Sequence, residues 1–445
     1  MKKATPAVLM ALALVGMSVT AETVYQPEKW NLDAREQFSA QRFGIFIHWG
    51  LYANYAQGEW YLQEGKLDEG AYSRMKDGFY PSKFDANEWI RVIKNSGAKY
   101  LTITSRHHDG FSLWPTKVDD GYNIMNTPFK RDILGELAKA CHEEGIQLNF
   151  YYSLMDWHRS DYPPGRIASV VQLPNRKPNY ASYKKFMMVQ ITELIDWYHP
   201  GNIWFDGEWE HAEHDDNGNL TRTLDWEFDD IFDLIHSKKT LVANNNHQAI
   251  RPKEDIQLFE RDLPGENAEA QFSKHQPLTR DRPVEQCDVI QSNVWGYRIG
   301  ETNFRTAPEV VALIARAASK DSNLLMNIGP DGSGQFPARA IEVLKAVGTW
   351  FALNGESIYG TRAGGVKLGK DIVSTRKGES LYLHFLAPQK VKQISFAMDE
   401  KPTQVTALAT GEKVPFTYET KGKGELTITI APAASQEFDY VVEVK

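Results

Sequence analysis

The chain has 445 residues, of which 50 are Lys or Arg and 58 are Asp or Glu, so its formal net charge is −8. Hydrophobic residues make up 42% and charged residues 24% of the chain, a balance that excludes a disordered protein. The acidic surplus, with no block of basic residues, argues against nucleic-acid binding, which needs a basic surface. The length suggests one large domain and a smaller one.

The first 21 residues have the pattern of a secretory signal peptide. Two lysines at positions 2 and 3 precede an apolar run that ends at Val19, and small residues lead to a cleavage point after Ala21. The apolar run is too short for a membrane span, and no later segment reaches the roughly 20 apolar residues that a span needs. We therefore expect residues 1–21 to direct export to a bacterial periplasm or beyond, without membrane insertion.

Eight short strands are predicted in the first three quarters of the chain. Each is a run of apolar or β-branched residues that ends in polar or aromatic ones. They span Phe43–His48, Tyr100–Ser105, Gln147–Tyr152, Asn202–Asp206, Thr240–Asn244, Ile256–Glu260, Val289–Asn293 and Leu324–Ile328.

Segments with helical spacing lie between most of these strands. Helices are predicted to begin after capping motifs at Asp85 and Thr306 and to span Arg131–Glu144, Tyr180–Tyr198 and Trp226–Ser237. Alternating strands and helices predict parallel strands, and eight repeats predict a TIM-like (β/α)8 barrel over residues 22–358. The barrel is expected to be irregular at residues 245–255, which are too few for a helix. A doubly wound sheet is disfavoured because no glycine-rich phosphate loop follows a strand.

Residues 359–445 have a different pattern, without helical periodicity. Alternating or β-branched runs separated by turn residues predict a small antiparallel β-sandwich as a C-terminal domain. Its predicted strands are Ser380–Leu386, Lys392–Ala397, Gln404–Ala407, Glu425–Ile430 and Tyr440–Lys445.

Histidine, aromatic and acidic residues are dense at the ends of the barrel strands, where a barrel of this type forms its active site. Aromatic platforms and carboxylates without a cofactor motif predict sugar hydrolysis, which needs a nucleophile and a proton donor. Asp206 suits the nucleophile because it ends a central strand and is followed by a glycine. An Asp in this position is often a helix N-cap, but Trp204 and Trp209 on either side favour a sugar site.

Glu260 is the predicted acid/base. It ends the second strand after the strand of Asp206, in an apolar-then-charged context where partial burial would hold it protonated. A salt bridge with Arg261 is the structural alternative for this side chain. Other glutamates compete for the catalytic role: Glu266, Glu285, Glu59 and Glu208.

A metal site is disfavoured. His107 and His108 are adjacent, and neighbouring side chains on an extended chain point to opposite sides, so both cannot easily bind one ion. No companion set of metal ligands occurs, and no G-x-S-x-G motif supports a serine nucleophile. Hydrogen bonds from the histidines to sugar hydroxyls are the preferred interpretation. Cys141 and Cys287 are expected as separately buried thiols.

Six strings at the predicted strand ends together carry a family resemblance. They are Phe43–Gly50, Gly58–Trp60, His107–Phe111, Tyr151–Trp157, Trp204–Asp206 and Leu324–Gly329. In this order they resemble the α-L-fucosidases of glycoside hydrolase family 29, over roughly residues 25–360. That family usually has a C-terminal β-domain as well.

The resemblance implies an exo-acting retaining hydrolase that releases terminal α-L-fucose from oligosaccharides or glycoconjugates without a cofactor or metal. By motif, Asp206 matches the nucleophile, and Glu260 is the best match to the acid/base, with Glu266 next. The positions that match fucose contacts are His48, Glu59, Trp60, His107, His108, Tyr151 and Trp204, with Trp295 matching an aromatic near the sugar's methyl group.

One departure from the family pattern concerns a cation. Many members have Asn-Asn-Arg after the fifth strand, whereas this chain reads Asn244-Asn245-Asn246-His247. A neutral amide therefore replaces a cation at Asn246, with Arg251 or Arg282 as candidates to compensate. The alternatives are a same-fold hydrolase of a related sugar, such as an α-L-galactosidase, or a carbohydrate-binding protein without catalysis.

Overall fold

The computed structural model describes residues 25–211, 213–214, 220–248, 250–274, 276–366, 368–420, 422, 424–430 and 438–445. The signal peptide expected at residues 1–21 lies outside these residues. Within them, no helix has both the length and the apolar character that crossing a membrane requires.

Parallel strands form a barrel-like sheet, as predicted. Its strands are β1 (Phe43–Ile47), β2 (Tyr100–Arg106), β3 (Gln147–Ser153), β4 (Asn202–Asp206), β7 (Leu241–Asn245), β8 (Gln257–Glu260), β9 (Val284–Val289) and β10 (Ser322–Ile328), while β5 (Glu213–His214) and β6 (Leu220–Arg222) form a separate two-stranded ribbon after β4. Neighbours in the large sheet run in the order β7-β4-β3-β2-β1-β10-β9-β8. The carboxyl ends of all eight strands therefore face one mouth.

Helices in the described part of the chain connect most of these strands. They are α1 (Lys29–Gln41), α2 (Tyr61–Glu64), α3 (Glu69–Ser73), α4 (Ala86–Asn95), α5 (Ile133–Glu144), α6 (Tyr180–Tyr198), α7 (Phe228–Ser237), α8 (Ala307–Ala318) and α9 (Ala338–Asn354). The predicted caps are present: Asp85 accepts hydrogen bonds from two backbone N–H groups of α4, and the backbone N–H of Thr306 donates to Glu309.

The irregularity expected after the fifth barrel strand is a seam between β7 and β8. Ala243 and Ile256 form an isolated parallel bridge there, and the described residues of the link contain no helix. Asp255 holds the seam, because its backbone N–H donates to Val242 O (2.9 Å) and its Oδ2 accepts from Val242 N–H (2.8 Å). Every other pair of neighbouring strands shares at least four residue pairs.

The prediction for the seventh barrel strand is wrong in position. The sequence suggested Val289–Asn293, but the strand is Val284–Val289, and Asn293 has a left-handed φ of 62°. The reason is polar composition, since Glu285 lies in this strand yet is buried and bonded inside the barrel to Tyr100 and Trp204. A hydrophobic pattern does not reveal such a strand.

The C-terminal strands form two antiparallel sheets packed on a shared apolar core, as the sandwich prediction required. One sheet has the order β11-β12-β13-β18-β15 and the other β14-β17-β16. The strands are β11 (Arg362–Ala363), β12 (Ile372–Lys377), β13 (Ser380–Phe385), β14 (Gln393–Ala397), β15 (Val405–Ala407), β16 (Phe416–Glu419), β17 (Glu425–Thr429) and β18 (Tyr440–Val444). The sequence prediction missed β11, β12 and β16.

Candidate active site

A pocket at the carboxyl ends of the barrel strands gathers most of the predicted site residues. Its described lining consists of Phe46, His48, Trp60, His107, His108, Tyr151, Trp204, Asp206, Trp209, Asn245, Glu260, Cys287 and Trp295. Glu59 and Glu266 are the predicted site residues that do not line it. Each strand from β1 to β4 contributes residues at or just beyond its end, as expected for a barrel site.

Asp206, the last residue of β4, is held by hydrogen bonds at both carboxylate oxygens. The hydroxyl of Tyr151 donates to Oδ2 (2.9 Å), and the indole N–H of Trp209 donates to Oδ1 (2.9 Å). His108 Nε2 lies 3.6 Å from Oδ2. The side chain is only 12% exposed, so its orientation toward the pocket is fixed before any ligand arrives.

Glu260, the last residue of β8, lies close to Asp206 across the pocket. The side-chain amide of Asn245 bridges them, since Nδ2 is 3.2 Å from Asp206 Oδ1 and 2.9 Å from Glu260 Oε2. The two bonded oxygens are therefore at most about 6 Å apart. Retaining glycosidases hold their carboxyl groups about 5–5.5 Å apart and inverting ones about 6.5–9.5 Å apart. The upper limit for these two oxygens lies below the second range.

The two carboxyl groups differ in acidity. Burial, and then the negative charge of Glu260, raise the pKa of Asp206. Burial also raises the pKa of Glu260, but the hydrogen bond and positive charge of His247, with Asn245 and Arg261, outweigh it, so that the net pKa lies below the ordinary value. The expectation that burial keeps Glu260 protonated is therefore wrong for the unliganded site, because the hydrogen bond from the imidazole of His247 favours the ionised form.

Two histidines present a ring nitrogen as a hydrogen-bond acceptor. Asn327 donates its Nδ2 to Trp295 O (2.7 Å), so its Oδ1 accepts from His48 Nδ1 (2.7 Å). Ser153 donates its hydroxyl to Met155 O (2.8 Å), so its Oγ accepts from His108 Nδ1 (2.6 Å).

Both rings are neutral, because burial lowers the pKa of His48 to about 3 and that of His108 well below its usual range. In each ring Nδ1 carries the proton, and Nε2 is left as the acceptor for a ligand hydroxyl.

Aromatic rings form the walls of the pocket. Trp60 stacks on Trp209 with ring centroids 5.9 Å apart, and His107 stacks on Tyr151 at 5.4 Å. Trp295 packs beside His48, with centroids 5.1 Å apart. Apolar walls with acceptor nitrogens and carboxylates at the base suit a sugar ring, which has both apolar faces and hydroxyl groups.

The competing glutamates have other partners. Glu59 Oε2 accepts from Gly296 N–H (2.6 Å), which fixes the loop that carries Trp295. Glu266 pairs with Lys320 (2.8 Å), which precedes β10 at the opposite end of the barrel. Its position gives no support to the prediction of Glu266 as the second acid/base candidate.

The remaining two candidates are buried in structural contacts. Glu285 accepts from Tyr100 (2.6 Å) and Trp204 (3.0 Å) inside the barrel, and Glu208 pairs with Arg251. Neither glutamate lines the pocket.

The proposed compensating cations do not reach the pocket. Arg251 binds Glu208 and Glu254, and Arg282 donates to backbone carbonyls and to Asp281. The group that contacts Glu260 is instead His247, with Nε2 3.0 Å from Glu260 Oε2. His247 was not among the predicted site residues. The one feature that could have indicated it is its place two residues beyond the end of β7.

Metal ligands are not clustered in the described part of the chain: it holds no group of three or more His, Cys, Asp or Glu residues placed to bind an ion. Cys141 and Cys287 are both buried free thiols, as the sequence suggested. The described lining of the pocket offers two carboxyl groups, imidazoles, a tyrosine hydroxyl, an amide and the thiol of Cys287.

The family model for α-L-fucosidases matches residues 12–356, most of the chain. The chain belongs to the α-L-fucosidase family. Human tissue α-L-fucosidase is 29% identical over 414 residues, covering 86% of this chain and 84% of the human one. The matched region ends close to the point where the barrel gives way to the C-terminal sheets.

Solved α-L-fucosidase structures share the fold. Isoenzyme 1 from Paenibacillus thiaminolyticus superimposes with a TM-score of 0.79 at 29% identity, covering 94% of this chain and 99% of that one. A family 29 α-L-fucosidase from Bacteroides thetaiotaomicron, trapped as a covalent intermediate with 2-fluoro-fucosyl fluoride, gives 0.76 at 26% identity, covering 96% and 98%. The chain is thus a glycosidase of this family by sequence and by fold.

Proposed function

We propose that this fucosidase releases terminal α-L-fucose with retention of configuration, using Asp206 as nucleophile and Glu260 as acid/base. The closeness of the two carboxyl groups carries the proposal, since Asn245 Nδ2 bonds to one oxygen of each and limits the distance between those two oxygens to about 6 Å. The predicted roles of both residues agree with their positions in the pocket.

In the first step, a carboxylate oxygen of Asp206 attacks the anomeric carbon and forms a glycosyl ester. The bond from that carbon to the leaving oxygen breaks, and its electron pair takes the proton of Glu260. Tyr151 and Trp209 orient the nucleophile through their hydrogen bonds. His48 and His108 accept hydrogen bonds from sugar hydroxyls at Nε2, and the aromatic walls pack against the apolar face of fucose.

In the second step, Glu260 accepts a proton from water, and the resulting hydroxide equivalent attacks the anomeric carbon. The ester bond to Asp206 breaks, and fucose leaves with its original configuration. The covalent intermediate trapped in the B. thetaiotaomicron relative supports this two-step course. The N-terminal pattern supports action on fucosylated glycans after export to the periplasm or beyond.

Chemical rescue tests the nucleophile. Replacing Asp206 with Gly removes the carboxylate and opens space, so kcat on 4-nitrophenyl α-L-fucoside should fall by several orders of magnitude. Azide should then restore release of nitrophenol and yield a fucosyl azide of inverted configuration. The matched control is Asp196→Asn, an exposed position on α6, which should keep full activity. Near-normal activity of Asp206→Gly would contradict the assignment.

A further inference from the structure

His247 contacts the acid/base and is not part of the catalytic pair proposed above. Its Nε2 lies 3.0 Å from Glu260 Oε2. The ring is stacked between Trp209, at a centroid distance of 6.2 Å and an angle of 11°, and Phe272, at 5.1 Å and 23°. Packing on both faces fixes the plane of the imidazole, so the direction of its bond to Glu260 is set by the fold.

The two oxygens of Glu260 have unequal surroundings. Oε2 accepts hydrogen bonds from both His247 and Asn245 (3.0 and 2.9 Å), whereas Oε1 makes no hydrogen bond with the described residues. The carboxyl group is therefore anchored through one oxygen. The other oxygen is free to exchange a proton with the leaving group or with water.

Charged and titratable groups surround this pair on several elements. Asp206 at the end of β4 and Asp262 after β8 favour the positive form of His247, together with Glu260 itself. Arg261 adds positive charge beside Glu260. The neutral groups Tyr151, Cys287 and His48 complete the shell around Glu260. Burial lowers the pKa of His247, but the hydrogen bond and charge of Glu260 outweigh it, so the net pKa is raised.

We propose that His247 is a positioning residue for the acid/base: its imidazole, held between Trp209 and Phe272, anchors Oε2 of Glu260 and leaves Oε1 for the glycosidic oxygen. The inference rests on the proposed function of Glu260. Its consequence is an acid-shifted pH profile, because a neighbouring cation favours the ionised form of both Glu260 and Asp206. A protonated Glu260 is then available only toward acidic pH.

Three substitutions at this position separate charge from anchoring. His247→Gln keeps a donor near Oε2 without a charge, His247→Arg keeps a permanent cation, and His247→Phe keeps only the stacked ring. His142→Gln, an exposed change on α5, is the matched control. Each protein is assayed for kcat and KM against pH, with an aryl fucoside as good leaving group and a fucosylated oligosaccharide as poor one.

We expect both limbs of the kcat/KM profile to move to higher pH in His247→Gln and His247→Phe, by about 1–3 units, and to stay in place in His247→Arg. In His247→Phe, kcat on the poor leaving group should fall about 10- to 100-fold. The good leaving group should lose less than about threefold, since it needs little acid catalysis. On the poor leaving group, kcat of His247→Gln should be much closer to the wild-type value than kcat of His247→Phe. His142→Gln should match the wild type.

If His247→Gln and His247→Phe both kept the pH limbs and the leaving-group dependence of the wild type, the inference would be overturned and the proposed function would stay intact. An equal loss on both substrates without a pH shift, accompanied by a lower melting temperature, would also overturn it, because that result marks a structural role. If the wild-type protein released no fucose from any fucoside, the proposed function itself would fail.

Discussion

The phenolic hydroxyl of Tyr151 donates a 2.9 Å hydrogen bond to Oδ2 of Asp206. This bond favours the ionised carboxylate and so lowers the pKa of Asp206, against the opposing effects of burial and of Glu260. Tyr151→Phe should therefore raise that pKa and move the acid limb of the kcat/KM profile, which reports the free enzyme, to higher pH. It should also reduce kcat about tenfold or more, as expected for a lost hydrogen bond to a charged group.

Tyr152→Phe is the matched control for this change. The hydroxyl of Tyr152 donates to Gln190 (2.8 Å), away from both carboxyl groups. Its pH–rate profile should equal that of the wild type, and an acid limb unmoved in Tyr151→Phe would show that the hydrogen bond does not tune the nucleophile.

The side-chain amide of Asn245, which bonds to both carboxyl groups, should hold the pKa of Glu260 down and support catalysis. Asn245→Ala removes a donor that lowers the pKa of Glu260, so the alkaline limb of kcat/KM should move to higher pH. The two carboxylates also lose the group between them, and kcat should fall about 10- to 100-fold. Steady-state kinetics from pH 4 to 9 measure both effects. Asn246→Ala is the control and should lose far less, because the side-chain oxygen of Asn246 accepts from Gln248 N–H (2.9 Å) and Asn246 is not in the described pocket lining.

Glu285 should make the fold less stable as the pH rises. Burial raises its pKa from 4.5 to about 7, so the neutral form is favoured in the folded state. The resulting stabilisation is complete below about pH 4.5 and is lost as the pH rises through about 7, a difference of about 3 kcal/mol. Glu285→Gln mimics the neutral form, and its melting temperature should fall less than that of the wild type between pH 5 and 8. Parallel melting curves would contradict this.

Arg251 should stabilise the fold without binding substrate. It forms ion pairs with the buried Glu208 and Glu254, and its removal leaves two carboxylates without a counter-charge. Arg251→Met should lower the free energy of unfolding by about 3 kcal/mol in chemical denaturation. Adding Glu208→Gln should recover part of the loss. KM of the folded protein should not change, and a raised KM would instead indicate the substrate-binding role considered from sequence.

Sequence patterns were sufficient to predict the barrel and to place Asp206 at the end of one of its strands. Parallel strands with buried apolar bodies and chemically active ends leave a strong periodic signal, and Asp206 closes such a strand between two tryptophans. Glu260 was also found, because β8 ends at it. The strand at Val284–Val289 was misplaced because polar side chains inside the barrel break the apolar pattern.

The contacts around Glu260 could not be predicted from the sequence, and the reason is geometric. Asn245 and His247 act on Glu260 across the seam between β7 and β8, over 13 to 15 residues of sequence. No periodicity connects such positions, so a single sequence does not show that one amide touches both carboxyl groups or that a histidine contacts Glu260. Both facts need three-dimensional packing.

The seam between β7 and β8 is also where we expect the barrel to open first on heating. In the described residues, the backbones of the strands that lead to Asn245 and Glu260 are joined by one isolated bridge and by Asp255, and their ends by the side-chain bonds to Glu260. The other neighbouring strands of the barrel pair over at least four residues each. Thermal fluctuations will part these two edges before the remaining strands separate. Catalysis should consequently cease at a temperature where most of the barrel is still intact, and amide exchange should begin at Val242.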